Sequence, residues 1–310
     1  MMQQIYPSYY PHFHCIAGDC RHSCCVGWEI DVDAGTLKKY RSVGGELGER
    51  LKRSITRGKT PHFALTDGER CPFLNGQNLC DLIVFGGEDL LCQICADHPR
   101  FRNFFSARTE IGLGLCCEEA ARLILSQQEK VVFISTGEAE PLDREEEALL
   151  TMRDELFALA QDRSVPITAR EDAILRRVGA ALPERSAPEW AAFYLTLERM
   201  DEVWTVLLQD LDDADDAAFT AYMKPRVTEY EQLLCYFLYR HLPAALDDGD
   251  VSGKVAFAVL STRFLRQLGA WQYRKTGCFT RGDQIELARL YSAEIEYSQE
   301  NLDALFDALC

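Results

Sequence analysis

The chain has 310 residues, of which 47% are hydrophobic and 26% charged, a composition typical of a globular protein large enough for two domains. No apolar run approaches the roughly 20 residues that span a membrane, and the segment MMQQIYPSYYPHFHC lacks the basic and apolar regions of a secretion signal. The sequence therefore predicts a cytoplasmic protein that binds no membrane. The net charge of −16 lies entirely in residues 118–310, because residues 1–117 carry 13 basic and 13 acidic side chains. This acidic second half repels phosphate backbones and argues against nucleic-acid binding.

The N-terminal part, residues 1–128, is predicted to be a loop-rich domain. In WEIDVD (28–33) apolar and acidic residues alternate with the period of a strand. Asp33 is then a candidate cap for a helix that begins at about Thr36, and a further helix is predicted to end at about Gln128. Such short pieces are typical of a domain in which metal ligands replace part of the core.

The remaining residues, 129–310, are predicted to form an α-helical domain that follows a short strand at 131–135. Pro141 suits the first turn of a helix, and the sequence after it places Leu149 and Leu156 near one face. Further helices are predicted at 168–182, 189–211, 226–242, 252–273 and 282–308. The predicted fold class is therefore mainly α, with a cysteine-rich metal-binding domain followed by a helical domain.

Cysteines dominate the N-terminal part, where ten of the 13 lie at or before Cys117. Their spacing is Cys15-x4-Cys20-x3-Cys24-Cys25, then Cys71 and Cys80, then Cys92-x2-Cys95, then Cys116-Cys117. Thiols stay reduced in the cytoplasm, so this density predicts metal or redox chemistry rather than disulfides. Thiolates are soft donors that favour zinc, Cu(I) or iron–sulfur clusters, and a Cys-x2-Cys step presents two of them to one metal.

The number and order of the thiols leave several arrangements open. Ten thiols exceed one four-cysteine site, and eight would fill two. Neighbouring side chains diverge along a helix or strand, so Cys24 and Cys25 are not expected to bind the same tetrahedral ion. Spacing alone does not separate zinc from iron–sulfur. The three later cysteines are expected to be small hydrophobic residues without metal. They are Cys235, Cys278 and Cys310.

Four ordered segments carry a resemblance to a known family. They are CIAGDCRHSCCVGWEIDVD, CPFLNGQNLC, LCQICADHPR and LGLCCEEAARLIL. Together with YFLYRHLPAALDDGD and YSAEIEYSQENLDALFDAL they resemble the flagellin lysine-N-methylases, and the N-terminal part is similar to the wider group of zinc- or iron-chelating cysteine domains. The resemblance implies methyl transfer from S-adenosylmethionine to lysine amines of flagellin or a similar surface protein, with a 4Fe–4S cluster involved.

The resemblance also implies a set of metal ligands. Carried over residue by residue, they are Cys15, Cys20, Cys24, Cys25, Cys71, Cys80, Cys92, Cys95 and Cys117. Cys116 stands where the family has serine and is expected not to bind metal. No cofactor-binding residues are predicted for S-adenosylmethionine, because the chain lacks both the Gly-rich loop of Rossmann-type methyltransferases and the Cys-x3-Cys-x2-Cys triplet of radical enzymes.

Methylation requires a group that removes a proton from the lysine amine, whose usual pKa is about 10.4. A carboxylate or tyrosinate in a dry pocket can accept that proton. Tyr291 and Glu294 are spaced i, i+3 in one of the resembling segments, Glu296 follows, and Arg240 lies in the other. These four residues are the predicted catalytic group.

Two other classes of function compete with the enzyme. One is a module in which the cysteines carry a redox-active or transferred iron–sulfur cluster while the helices bind a partner. The other is an interaction protein whose N-terminal domain is held together by zinc. Iron–sulfur is predicted over zinc on the number of thiols and the resemblance.

Overall fold

The computed structural model describes residues 2–213 and 216–309. These residues form two compact units. The cysteine-rich unit comprises residues 14–100 and 117–119, and the remaining described residues form the helical unit. Segments 2–13 and 101–116, which belong to the predicted N-terminal domain, thus lie in the helical unit.

The cysteine-rich unit contains four short helices. They are α1 (Ala34–Tyr40), α2 (Gly45–Ser54), α3 (Asp81–Gly86) and α4 (Gln93–Asp97). The predicted cap is confirmed, because the Asp33 carboxylate accepts a hydrogen bond of 2.9 Å from the backbone N–H of Thr36 at the start of α1. The core of this unit is small. Its buried members are Ile30, Val32, Tyr40, Leu51, Phe63, Cys71, Phe73, Leu82 and Cys92.

The segment 28–33, predicted as strand-like, pairs at one position only, where Asp31 forms an isolated bridge with His62. On either side of it the backbone N–H of Val32 donates to Pro61 and the carbonyl of Ile30 accepts from Phe63. Its alternating pattern therefore corresponds to a loop with Ile30 and Val32 turned into the core rather than to a strand in a sheet.

The helical unit carries a four-stranded sheet in the order β2-β3-β1-β4. The strands are β1 (Gln3–Pro7), β2 (Arg100–Phe104), β3 (Arg108–Leu113) and β4 (Phe133–Thr136). β1 runs parallel to β3, with Ile5 opposite Glu110, and antiparallel to β4, with Gln4 opposite Thr136. The strand predicted at 131–135 is thus found as β4, whereas the other three were not predicted.

Eleven further α-helices complete the described part of the chain, so the prediction of a mainly α fold is confirmed. They are α5 (Glu118–Leu125), α6 (Arg144–Ala160), α7 (Ile167–Val178), α8 (Ala187–Tyr194), α9 (Glu202–Gln209), α10 (Ala217–Met223), α11 (Thr228–His241), α12 (Ala245–Asp248), α13 (Val251–Thr276), α14 (Arg281–Tyr291) and α15 (Gln299–Leu309). Helices α11 and α13 pack together at the centre of the unit, and nearly every residue of α11 is buried. Within the described residues, no helix is long and apolar enough to cross a membrane.

Two of the predicted helices are interrupted. The helix predicted at 189–211 is divided into α8 and α9, and the one predicted at 282–308 is divided into α14 and α15. The second interruption begins with a π-helical turn, Ser292–Glu296, directly after α14. Such turns are rare and often occur at functional sites.

Candidate functional site

Five thiols gather in the core of the cysteine-rich unit, and we call them the inner thiol group. Its members are Cys25, Cys71, Cys80, Cys92 and Cys95. Cys71 and Cys92 are buried, and the other three pack against the same core. The sulfurs of Cys92 and Cys95 lie 3.3 Å apart at the first turn of α4. Burial and then the nearby thiols of Cys25, Cys80 and Cys92 raise the pKa of Cys71 to about 12, against a hydrogen bond from Phe73.

Four thiols lie nearer the surface of the same unit, and we call them the outer thiol group. They are Cys15, Cys20, Cys24 and Cys117. The sulfur of Cys20 lies 3.8 Å from a carboxylate oxygen of Glu118, the residue after Cys117. Burial, and then Glu118, Cys117 and Cys15, raise the pKa of Cys20 to about 11, although a hydrogen bond to the backbone of His22 opposes them.

The dipeptide Cys24-Cys25 joins the two groups. A hydrogen bond between the two side chains raises the pKa of Cys24 and lowers that of Cys25 to about 7. The thiols of Cys15 and Cys117 act on Cys24, whereas Cys25 acts on Cys71 and Cys80. Besides contacting each other, the two neighbours thus interact with different sets of thiols, and that they do not bind the same metal ion stays a prediction.

The donor chemistry of this unit fits a thiolate-bound metal. All nine predicted ligands lie in it, and soft sulfur donors suit iron–sulfur and zinc alike. In the described residues, however, no three His, Cys, Asp or Glu side chains already surround a position for a single metal ion. Metal binding therefore requires the sulfurs of a group to move closer together, as in domains that fold around their metal.

The cysteines predicted not to bind metal lie elsewhere. Cys116 belongs to the helical unit, where its side chain forms a hydrogen bond with Tyr297. Cys235 is buried in α11, where burial raises its pKa, and Cys278 is exposed. Cys310 lies outside the described residues. That none of these four cysteines binds metal stays a prediction.

A buried polar cluster occupies the helical unit between α11 and the π-helical turn. Its members are Tyr236, Arg240, His241 and Glu296. The Glu296 carboxylate accepts hydrogen bonds from the Tyr236 hydroxyl at 3.0 and 3.1 Å and lies 2.6 Å from Nε2 of His241. Nε of Arg240 is 3.3 Å from the same carboxylate, and its Nη1 donates to the Tyr236 oxygen at 2.7 Å. The four side chains form one connected network.

The charges of this network are nearly balanced. Burial acts to raise the pKa of Glu296, but Arg240 and His241 outweigh it, and the pKa lies below its usual value. Burial lowers the pKa of His241 despite its contact with Glu296. Near neutral pH the network therefore holds an ionised Glu296, a cationic Arg240 and a neutral His241, an imidazole able to accept a proton.

One edge of the cluster reaches solvent. The Arg240 guanidinium lies 5.0 Å from the ring centre of Tyr297 and 5.2 Å from that of Phe101, so the cation is held between two aromatic faces. Tyr297 is 47% exposed, whereas the Glu296 side chain is fully buried. A ligand that approaches the cluster from this side meets Tyr297 first.

The four predicted catalytic residues divide into two kinds. Glu296 and Arg240 meet in the polar cluster, as described above. The Glu294 carboxylate instead accepts the backbone N–H groups of Met200 and Asp201 at 2.9 and 2.7 Å, just before α9 begins. The Tyr291 hydroxyl lies 2.8 Å from that of Ser261 and 3.2 Å from that of Tyr194. In this structure Glu294 therefore binds the backbone just before the start of α9, and Tyr291 joins a buried chain of hydroxyls.

Two members of the network were not among the predicted catalytic residues. His241 follows Arg240 directly, so the motif that contains Arg240 pointed to it. Tyr236 lies one helical turn before Arg240, and this i, i+4 spacing was the available signal. A buried tyrosine in an apolar helix is usually a core residue, which is why the pattern alone did not single it out.

These observations describe a mainly α protein that has a thiol-rich unit and, in its helical unit, a buried carboxylate–guanidinium–imidazole cluster. Residues 173–309 match the family model described as the FliB lysine N-methylase C-terminal domain. The predicted resemblance to lysine-N-methylases is thereby confirmed. The match contains the whole polar cluster.

Curated relatives agree with this match. The chain is 27% identical over 160 residues to a lysine-N-methylase of Salmonella choleraesuis and 26% identical over 160 residues to one of Salmonella typhimurium. Each alignment covers 47% of this chain and 40% of the relative, so the chain spans about two fifths of the length of these proteins. It is also 26% identical over 135 residues to the flagellar biosynthetic protein FliU of Salmonella muenchen, covering 41% of this chain and 79% of that protein. No solved structure matches the chain.

Proposed function

We propose that this protein is an S-adenosylmethionine-dependent protein lysine N-methyltransferase that acts on flagellin or another lysine-bearing surface protein before export. The main support for this proposal is the match of residues 173–309 to the FliB lysine N-methylase C-terminal domain, a segment that contains the complete polar cluster. The names of the relatives, lysine-N-methylase and flagellar biosynthetic protein, support the reaction and the class of substrate.

The polar cluster supplies a proton acceptor for this reaction. The lysine ammonium, with a usual pKa of about 10.4, must become a neutral amine. Its nitrogen then forms a bond to the methyl carbon as the carbon–sulfur bond of the donor breaks, and one proton is released. Neutral His241 donates from Nε2 to the ionised Glu296, so its Nδ1 is the nitrogen that can take that proton. Arg240 keeps Glu296 ionised and holds Tyr297 at the exposed edge. S-adenosylmethionine supplies the methyl group when bound.

The charge distribution supports a lysine-rich substrate. The whole excess of 16 negative charges lies in residues 118–310, which include the polar cluster. Such an excess attracts a cationic partner over a distance of about 10 Å at 0.1 M salt. Methylation of a lysine-rich protein should therefore slow as the salt concentration rises.

The experiment that tests this proposal is methylation of a candidate substrate by the full chain. The protein is co-expressed with a flagellin, and its lysines are examined by mass spectrometry. Glu296→Gln should reduce the modification strongly, because it removes the charge that holds His241 and Arg240. Glu300→Gln changes an exposed carboxylate nearby and should leave the modification intact. Unmodified lysines across several substrates, with donor and metal present, would refute the proposal.

We further propose that the thiol groups hold iron–sulfur, with a 4Fe–4S cluster as the expected form and zinc as the alternative. The number of thiols gathered in one unit supports it. Anaerobically purified protein should be brown, contain acid-labile sulfide and lose its visible absorption when dithionite is added. A colourless anaerobic preparation with stoichiometric zinc would overturn it.

A second candidate is a non-catalytic redox or interaction module. One observation favours it: the nine thiols, at positions 15–117, all lie outside the segment that matches the methylase domain. A metal-loaded protein that methylates no lysine but retains a partner through its helical unit would support this alternative.

A further inference from the structure

We propose that the exposed side of α9, together with the residue two positions before it, is a docking surface for a basic amphipathic helix of the protein substrate. We call it the α9 surface, and it consists of Met200, Val203 and Val206. The inference rests on the proposed function, because it assigns the docked helix to the lysine-bearing substrate, but it concerns a surface outside the polar cluster. It follows from the exposure, the surrounding charge and the position of these three residues.

The α9 surface is apolar where a helix of a globular protein is usually polar. The buried side of α9 consists of Trp204, Leu207 and Leu208. Val203 and Val206, three residues apart, lie outside this buried stripe and are 61% and 50% exposed, and Met200 before the helix is 58% exposed. Surface helices carry polar residues outside their buried stripe. A row of exposed apolar side chains at helical spacing is therefore typical of a surface that binds a partner.

The charges around the α9 surface favour a cationic partner. Residues 198–213 contain six acidic side chains and one basic side chain, that of Arg199. The Arg199 guanidinium donates to carbonyls and a hydroxyl of its own segment, and Arg274 of α13 is paired with Asp212. Exposed acids lie at both ends of α9, namely Glu202 at its start and Asp210 after its end. A partner with basic residues beside an apolar stripe complements this surface better than a neutral or acidic one.

The α9 surface lies beside the exposed edge of the polar cluster. The segment before α9 is fixed to the π-helical turn, because the backbone N–H of Met200 donates to the Glu294 carboxylate at 2.9 Å. The hydroxyl of Ser298, the residue after Tyr297, donates to the Glu198 carboxylate at 3.3 Å. A helix bound to the α9 surface therefore lies near Tyr297, where a ligand first meets the polar cluster, and can present a lysine there.

The occupant that these features favour is a helix with one apolar stripe flanked by lysines or arginines. Val203 and Val206 form a ridge that fits between the side chains of a second helix, as in other helix-binding surfaces. The basic residues of that helix then meet Glu202 and Asp210. Because this contact lies outside the reacting centre, it should increase the affinity for the substrate, and so lower KM, without changing kcat.

Binding of a designed peptide to the full chain tests the surface. The probe is a fluorescently labelled helix of about 18 residues with leucines along one stripe and lysines elsewhere, and its control is a scrambled peptide of the same composition. Val203→Ser/Val206→Ser should raise the Kd of the probe about tenfold or more, because two apolar side chains are no longer buried. Val132→Ser changes a valine that is 59% exposed elsewhere in the helical unit and should leave the Kd unchanged. An unchanged Kd in the double variant, or equal binding of the scrambled peptide, would overturn the inference.

A second pair of variants tests the charge. Glu202→Lys reverses an exposed acid at the start of α9 and should weaken binding of the probe about fivefold. Glu140→Lys reverses an exposed acid outside residues 198–213 and should have little effect. An equal loss in both variants would show that the net charge of the chain, and not the α9 surface, attracts the probe, and would refute the assignment.

A second copy of the chain is the other occupant that an apolar surface can bind. If sedimentation shows that the unmodified chain dimerises and that Val203→Ser/Val206→Ser is monomeric, the α9 surface is an interface between copies and the inference is wrong.

Methylation of a protein substrate provides the last measurement. The double variant should raise KM about tenfold and leave kcat unchanged, and an unchanged KM would contradict the inference while leaving the proposed function intact. Binding of the probe needs no methyl donor. A chain that binds the probe through the α9 surface but methylates nothing would therefore contradict the proposed function alone.

Discussion

Removing the charge of Glu296 should destabilise the helical unit by about 3 kcal/mol, the lower end of the cost of breaking a buried ion pair. The Glu296 side chain is fully buried and that of Arg240 is 12% exposed, so water does not replace the lost partner. Glu296→Gln keeps the shape of the side chain but presents an NH₂ group to one of its two donors, Tyr236 or His241. The aromatic faces around Arg240 and its bond to Tyr236 keep the cost at this lower end.

The measurement is urea unfolding followed by tryptophan fluorescence in a Trp28→Phe background, since the other three tryptophans lie in the helical unit. A loss of about 3 kcal/mol lowers the midpoint by about 1 M or more, because slopes are about 1–3 kcal/mol per M in urea. Glu300→Gln, at an exposed position, should change stability by less than about 0.5 kcal/mol. A Glu296→Gln midpoint equal to that of the control would show that the cluster carries no buried ion pair and would refute the assignment of charges.

Three further predictions follow from the helical unit. The lowered pKa of His241 means that the unfolded chain takes up the proton first, so stability should fall as the pH drops below about 6.5, and His241→Asn should remove that part of the pH dependence. Gly112→Ala would place a methyl group 2.2 Å from the Phe101 ring and should cost about 1–3 kcal/mol in thermal or urea unfolding. Asn301→Ala removes side-chain bonds to the backbones of Glu198 and Glu294 and should cost about 2–3 kcal/mol in the same assay, because buried backbone groups lose their partners.

Helices with a clear period and a capping residue could be predicted from the sequence, but interruptions and strands could not. The helix at 168–182 was predicted from its pattern and is found as α7 (Ile167–Val178), ended by Gly179 in the left-handed conformation. β3 was not predicted because its buried position 110 is a glutamate, which interrupts the apolar alternation. Its charge is balanced by Arg153 and Arg108, at positions that no local pattern connects.

The arrangement of the candidate site also could not be predicted fully from the sequence, because of the π-helical turn. An ordinary helix would place Tyr291, Glu294 and Tyr297 along one side and pair Glu296 with Glu300. In the structure Tyr291 and Glu294 are buried while Tyr297 is exposed, and Glu296 is buried while Glu300 is exposed. The wider turn changes the helical phase by a fraction of a turn, and a hydrophobic pattern does not reveal it. The gathering of most cysteines in one unit was easier to predict, because their clustering is visible in the sequence alone.

The net charge of −16 does not reveal which carboxylates are buried and paired and which are exposed. Six glutamates of the helical unit are at most 5% exposed. Five of them pair with at least one arginine, namely Glu110, Glu171, Glu229, Glu231 and Glu296, and the sixth, Glu294, accepts two backbone N–H groups. Since nearly all of these buried acids are paired with a cation, most of the excess negative charge lies on the surface. Surface charge is screened within about 10 Å at 0.1 M salt, whereas buried pairs are screened much less. Added salt should therefore weaken the binding of a lysine-rich substrate while leaving the unfolding midpoint of the helical unit nearly unchanged. If salt lowered both the substrate affinity and the unfolding midpoint to a similar extent, the charges that attract the substrate would have to be the buried ones instead.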